Sequence, residues 1–497
     1  MSASAYQKLE QRFRRILILG DAEEALQWDY ATMMPAGGGP GRGEQLAELS
    51  GVCHGLLSAT ETGDLLGEAA ACDNLNDWQS ANLKAMQRKW AHATALPEDL
   101  VVAFSKASTA CESVWRTARA ENDFAAVLPH MEALLALVRE RAMAKSEKLG
   151  LSLYDALLDE FEPGGRSADI DVRFAELEVF LPGFLNQVLE KQKTNPAPAM
   201  PGGPFAADKQ HQLGLQLMTA LGFDFNHGRL DVSLHPFCGG TPDDVRLTTR
   251  FDEVDFSSAI MGVLHETGHG LYERGLPADW RYQPVGQALG MATHESQSLL
   301  IEMQMSRSRG FLEFAAPLMR AAFDGSGPAW DAENLYRNLT RVEPGFIRVD
   351  ADEVTYPLHV IARYRLEKLM IAGDLPLADL PAAWNAEIQS LLGITPPNDR
   401  EGCLQDIHWY DGAWGYFPTY TLGALMAAQL FAAARQDAPE ISAGIANGDF
   451  KPLSLWLVKN VHSLGSSLSA EKMLEQATGR GLDASAFMRH LKTRYLA

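Results

Sequence analysis

The sequence predicts a mainly α protein: one large helical domain with a small antiparallel β-sheet placed just before its most distinctive helix. Two observations carry that expectation. Most of the 497 residues repeat apolar side chains with the 3.6-residue period of half-buried helices, in segments rich in Ala, Leu, Glu and Arg. Clear strand-like alternation is confined to the stretch between Arg229 and Phe251. At 46% hydrophobic residues and a mean hydropathy of −0.14, the chain has the composition of a soluble globular protein.

Taken in order, helices are expected over Ala5 to Leu26, Gly43 to Thr60, Asp77 to Ala93, Pro129 to Leu149 and Ala168 to Lys193. A Pro/Gly-rich stretch, Thr194 to Pro204, then separates an N-terminal helical lobe of about residues 1–195 from a second lobe of about 205–497. Length alone permits two or three domains, but the expected unit is a single domain over 1–497. The net charge of −21, from 43 basic and 64 acidic residues, argues against nucleic acid or anionic membrane as a partner. The apolar run Ile16 to Leu19 is too short for a signal-peptide core, and no run of 18 apolar residues exists. Five scattered cysteines (Cys53, Cys72, Cys111, Cys238, Cys403) read as buried thiols of a cytoplasmic protein rather than a disulfide set.

Leu230 to Leu234 and Asp244 to Thr249 alternate as strands, with Gly239, Gly240 and Pro242 between them, so an antiparallel hairpin is expected. Such an edge can hold an extended peptide by backbone hydrogen bonds. Directly after it, Asp255 to Tyr272 reads as a buried helix, with Asp255 or Ser257 as cap and Gly275 and Pro277 as the stop.

That helix contains His265-Glu266-Thr267-Gly268-His269. Side chains at i and i+4 share a helix face, so the two histidines can grip one metal ion, and Glu266 beside them can take a proton from water. A catalytic zinc site uses three protein ligands and keeps one position open. The sixth residue after His269 is Gly275, which excludes the three-histidine pattern. A carboxylate from a second helix, expected over Gln287 to Met305, is the alternative. Glu295, 26 residues after His269, is the first choice. Glu302 and His294 are rivals, and Glu273 is better suited to a supporting or surface role.

Further polar residues can complete such a site. His235, His408, Tyr416 and Tyr420 are candidate donors to a developing oxyanion. Arg348 and Arg246 are candidates for pairing with a substrate carboxylate through a bidentate guanidinium. For each, the competing role is a structural hydrogen bond or ion pair.

Together these residues resemble the carboxypeptidase Taq family of metallocarboxypeptidases. The resemblance rests on His235-Pro236-Phe237, Asp244-Val245-Arg246-Leu247-Thr248, the His265 to His269 motif and His294-Glu295-Ser296-Gln297. Ile347-Arg348 followed by Val349-Asp350 and Ala351-Asp352 adds to it, as does Gly402 to Trp409. Near the N-terminus, Trp28-Asp29, Met34-Pro35 to Gly39 and Glu44-Gln45 also look familial. The resemblance implies an almost wholly helical fold with a small sheet lining a deep active-site groove, and a homodimer. It implies Zn²⁺, with Co²⁺ able to substitute, bound by His265, His269 and Glu295, with Glu266 as general base. It implies release of single residues from the free C-termini of peptides with broad specificity, C-terminal Pro being disfavoured, and an arginine on the terminal carboxylate, Arg348 before Arg246. Rival readings are an endopeptidase or aminopeptidase with the same metal set, and a non-catalytic helical scaffold.

Overall fold

The computed structural model describes residues 4–71, 74–233 and 235–497; Leu234 and Cys72 lie outside them. The N-terminal part is a succession of helices: α1 (Ala5–Thr32), α2 (Gly39–Ser58), α3 (Thr60–Ala70), α4 (Asp77–Thr94), α5 (Glu98–Glu121), α6 (Phe124–Leu149), α7 (Leu153–Phe161), α8 (Ser167–Lys193) and α9 (Ala207–Ala220). Each of the five helices expected here is present, with ends shifted by a few residues. After the sheet come α10 (Phe256–Gly275), α11 (Met291–Leu299), α12 (Arg309–Ala322), α13 (Ala332–Leu339) and α14 (Tyr356–Ala372). The chain closes with α15 (Leu380–Leu392), α16 (Pro418–Asp437), α17 (Glu440–Asn447), α18 (Lys451–Asn460), α19 (Ala470–Thr478) and α20 (Ser485–Leu496). No described helix is long and apolar enough to cross a membrane. Cys53, Cys111, Cys238 and Cys403 are free thiols; Cys111 and Cys403 are buried as expected, whereas Cys53 and Cys238 are only partly covered.

The largest apolar core runs from Cys111 on α5 to Leu491 on α20, so it draws on both sides of the Thr194 to Pro204 stretch. A separate core of Tyr6, Leu9, Phe13, Leu65, Leu66, Ala69, Leu83 and Met86 holds α1, α3 and α4 together.

The sheet corrects the expected hairpin. It has three strands, β1 (Gly228–Val232), β2 (Cys238–Thr241) and β3 (Asp244–Thr249), in the order β1-β3-β2. β1 and β3 are the two strands expected from alternation, but they pair in parallel, with Gly228 opposite Val245 and Val232 opposite Thr249. The antiparallel partner of β3 is β2, where Cys238 faces Leu247 and Thr241 faces Asp244. The glycines expected to form a turn are the strand: Gly240 has φ +84°, and a Cβ there would lie 2.1 Å from the Asp244 carbonyl oxygen. Only a residue without a side chain lets β2 fold back so tightly on β3. Thr248 stitches the crossing chain to β3, accepting from Ser233 Oγ at 2.8 Å and from the Phe237 amide at 2.9 Å.

α10 starts at Asp255, whose carboxylate accepts from the Ser257 amide at 2.9 Å. Its Gly268 meets α11 backbone to backbone: a Cβ there would sit 2.5 Å from the Gln297 carbonyl oxygen. On the other side of α11, a Cβ on Gly423 of α16 would sit 2.8 Å from the Cβ of Glu295. The helix expected from Gln287 begins instead at Met291, where buried Glu162 accepts the Ala292 amide at 2.8 Å. It also continues as a π-helix over Leu300–Ser306. Arg494 of α20 supports this stretch, donating to the carbonyls of Met303 and Gln304, and pairs with Glu353 at 2.9 Å.

Glu353 is buried, and burial raises its pKa, but Arg494 and His490 outweigh this and hold it at about 2, below the ordinary 4.5. A depressed carboxylate contributes stability that is complete above pH 4.5 and is lost as the pH falls through about 2. Glu353→Gln is therefore expected to lower stability near neutrality and to flatten the acid limb. Between pH 5 and 2, wild type should lose up to about 3 kcal/mol more than the variant, read from urea unfolding at a series of pH values.

Candidate metal centre

One turn apart on α10, His265 and His269 point their rings to a common side, 5.0 Å between centroids. The contact at Gly268 brings α11 against that side and delivers Glu295. Nε2 of His269 lies 3.5 Å from Glu295 Oε2, and Nε2 of His265 lies 3.8 Å from the same oxygen. One ligand atom from each of the three residues falls within 4.8 Å of the others. A tetrahedral ion with bonds near 2.0–2.1 Å spaces its donors about 3.4 Å apart, so the triad needs only a small contraction.

The rivals for the third ligand take other places. Glu302, in the π-helix, accepts from His265 Nδ1 at 3.0 Å and is held by Arg307 at 2.6 Å. His294 bonds Glu273 at 2.8 Å and lays its ring on that of His269, centroids 4.5 Å apart. The two histidines are thus oriented differently, His265 by a carboxylate behind it and His269 by a stacked ring. Sequence reasoning named Glu302 only as a ligand; its position two turns after Glu295 on the same helix face is the signal it carried.

Glu266, Glu295 and Glu302 make the neighbourhood strongly negative, and all three are buried. Burial lowers the His265 pKa, but Glu295, Glu302 and Glu266 together raise it to about 10. Burial dominates at Glu266, lifting it to about 7 despite the lowering effect of His265. A site whose carboxylates draw a proton onto an imidazole so firmly will also draw a cation, and two imidazoles with one carboxylate are donors suited to zinc and related divalent ions.

A second group of residues adjoins this one. Arg348, in a short 3₁₀ turn (Arg348–Asp350), is buried, with Nη2 on Asp406 at 2.8 Å and its amide on Gln405 at 2.9 Å. Arg363 of α14 takes the other oxygen of Asp406 at 2.6 Å. The Arg348 guanidinium lies 4.7 Å from the Tyr420 ring, Tyr420 bonds His408 at 3.1 Å, and the Tyr416 and Tyr420 rings are 5.2 Å apart. Burial raises the Tyr420 phenol to about 12, with Arg348 pulling it down and Glu295 pushing it up, which ties this cluster to the metal triad. Tyr356, at the start of α14, feels both charges too. No motif pointed to Tyr356, because in the sequence it is one more aromatic at a helix start.

The remaining candidates lie elsewhere. Arg246 of β3 pairs with Asp244 at 2.6 Å, and its guanidinium stands 4.5 Å from the ring of Trp28, which Arg229 also approaches at 4.8 Å. These contacts dock α1 onto the sheet. His235 is exposed, and its charged neighbours are Arg250, Arg116 and Arg119. Neither residue makes a hydrogen bond or ring contact with the triad or the tyrosine cluster among the described residues.

Residues 8–495 match the family described as "Carboxypeptidase Taq (M32) metallopeptidase". The chain belongs to the carboxypeptidase Taq family. It is 36% identical to thermostable carboxypeptidase 1 of Thermus thermophilus over 99% of both chains, and 34% identical to thermostable carboxypeptidase 1 of Pyrococcus furiosus over 98% and 97%. In three dimensions it is similar to metallocarboxypeptidase 1 of Trypanosoma cruzi, with a TM-score of 0.97 at 40% identity over 99% of each chain. The M32 carboxypeptidase of Deinococcus radiodurans aligns with a TM-score of 0.93 at 34% identity, covering 99% and 98%. The protein is therefore a metallocarboxypeptidase, a peptide hydrolase that uses a divalent metal, and His265, His269 and Glu295 form a donor set that fits one.

In this carboxypeptidase the carboxylate behind His265 should matter to the metal. Glu302→Gln is expected to weaken metal affinity by about 10–100-fold, measured by titration against a competing chelator. Unchanged affinity would show that His265 needs no such support.

Proposed function

We propose that His265, His269 and Glu295 hold one Zn²⁺, replaceable by Co²⁺, and that the chain works as a single peptidase domain releasing one residue at a time from free peptide C-termini with broad specificity. The observation that carries the C-terminal reading is a charge count. Asp406 lies between Arg348 and Arg363, so one carboxylate faces two guanidiniums in a buried place, leaving about one positive charge without a partner. Burial lowers His359 and His408 to about 3 and the two arginines add to the effect, so neither histidine supplies further charge. Nε and Nη2 of Arg348 are taken by Asp406 while Nη1 has no partner among the described residues, and a substrate carboxylate would complete the set.

When bound, the cation would supply Lewis acidity for a carbonyl and for water. The chain's own groups do the rest. Glu266, held near pH 7 by burial, takes the proton from the attacking water and delivers it to the leaving amine. Tyr416 and Tyr420 keep their phenol protons at neutral pH, since burial raises both, and can donate to the carbonyl oxygen as it gains charge. Asp406 and Arg363 keep Arg348 at a set distance from the triad, which decides that the bond presented is the last one of the peptide. Beside its polar partners, Arg348 faces the rings of buried Phe417 and partly buried Tyr420.

Two measurements test this. Glu266→Gln should retain one equivalent of metal by elemental analysis while kcat falls about 10²–10⁴-fold; near-native turnover would remove Glu266 as the base. Arg348→Lys should lower kcat/KM for a blocked dipeptide with a free C-terminus by about tenfold or more, and change the C-terminally amidated analogue little. An equal loss on both would point to endopeptidase chemistry instead.

A further inference from the structure

A groove of about 1150 Å³ opens beside the metal triad, larger than the roughly 300–1,000 Å³ of small-molecule pockets. It reaches the centre at His294, whose ring lies on His269, while Arg348 and the tyrosine cluster are not among its walls. A peptide with its last bond at the triad and its C-terminus at Arg348 would therefore run upstream into this groove.

The groove is electrically divided. One wall is the face of α4 that repeats at Asp77, Ala81, Lys84, Ala85 and Arg88, with Lys89 at its edge. Another part of the lining is α1 with Asp21, Glu23 and Glu24, joined by Glu273 at the end of α10. Within each wall most charges are alike, the exceptions being Asp77 at the start of α4 and Arg281 beside Asp21. Burial and then Glu23, Asp21 and Glu273 raise the Glu24 pKa, and burial and then Arg88 lower that of Lys89 to about 8. Lys84 and Lys89 make no ion pair or hydrogen bond among the described residues. Arg88 is fixed from behind, its Nε on Asp159 at 2.9 Å, and Asp159 is also engaged by His92 at 2.9 Å. The other nearby carboxylate, Glu160, is taken up by Lys145 and Arg141. In a chain of net charge −21, this is a local excess of cations that its own carboxylates leave uncompensated.

We propose that the α4 wall, through Lys84, Lys89 and the pre-oriented Arg88, is a subsite for an acidic side chain carried by the peptide upstream of the scissile bond. The acidic α1 wall repels the same side chain, so the groove also fixes which way that residue faces. The inference rests on the C-terminal reading above and adds a preference that reading does not contain.

The test uses the metal-loaded enzyme and N-blocked tetrapeptides with one common C-terminal residue, placing Glu, Gln or Lys at each upstream position in turn. At one position, kcat/KM for Glu should exceed that for Gln by about tenfold at low salt and that for Lys by more. The advantage should shrink as salt rises to 1 M, where the screening length falls to about 3 Å. Lys84→Gln with Lys89→Gln should bring the Glu-to-Gln ratio close to one, and Lys84→Arg with Lys89→Arg should keep it. A wild-type enzyme with no position favouring Glu, or an advantage that survives the glutamine pair, overturns the subsite. Failure to cleave the Gln peptides at all would instead remove the C-terminal reading beneath it.

Discussion

The close approach of α10 and α11 at Gly268 is the constraint on which the rest of the centre depends. With any side chain at that position the Gln297 carbonyl would have to move, and Glu295 would move with it. Gly423 applies the same constraint from α16. Held between two helices that offer no side chain at the contact, α11 has little freedom, and the distance from Glu295 to both histidines is set by backbone packing rather than by flexible side chains. The π-helix follows directly from this placement. Leu300–Ser306 carries Glu302 back toward His265, and Arg494 supplies donors to carbonyls that the irregular winding displaces.

Burial of charge is the second constraint. Three buried carboxylates surround the histidines at one end, and two buried guanidiniums share one aspartate at the other. Between them lie Tyr356, Tyr416 and Tyr420, whose phenols stay protonated because burial disfavours the phenolate. The arrangement leaves a deficit of positive charge at the donor triad and an excess at the arginine pair, where the proposed substrate carboxylate would sit. A C-terminal residue, with its amide carbonyl on one side and its carboxylate on the other, matches that polarity along its length.

Much of this was legible before any coordinates. Helix periodicity locates α1, α2, α4, α6 and α8, and the His265 to His269 spacing locates the two-histidine face. What failed were decisions made by partners distant in sequence. β1 and β3 alternate as strands should, but whether they pair parallel or antiparallel depends on the segment between them. There the glycines of β2 read as a turn because their backbone role, close contact with β3, leaves no apolar pattern. Glu295 and Glu302 are seven residues apart on one helical face, so periodicity presents both to α10, and Glu295 ranks first only through its spacing after His269 and the motif around it. Their division of labour came from Arg307, which claims one oxygen of Glu302. The charged lining of the groove was invisible for a simpler reason: lysines on α4 and glutamates on α1 are what any solvated helix displays, and only their lining one cavity makes them a pattern.

The two arginines flagged in sequence show how context separates identical chemistry. Arg246 sits at a half-exposed position with Asp244 two residues away, a one-to-one pair completed by the Trp28 ring. Its charge is balanced one to one, and its contacts fasten α1 to the sheet. Arg348 has a better anion in Asp406, yet must share it with Arg363 in a place water hardly reaches. A buried pair that is not balanced is costly until a third party balances it. The feature that supports the role proposed for Arg348 is therefore the ratio of charges around it, a quantity that no local motif records.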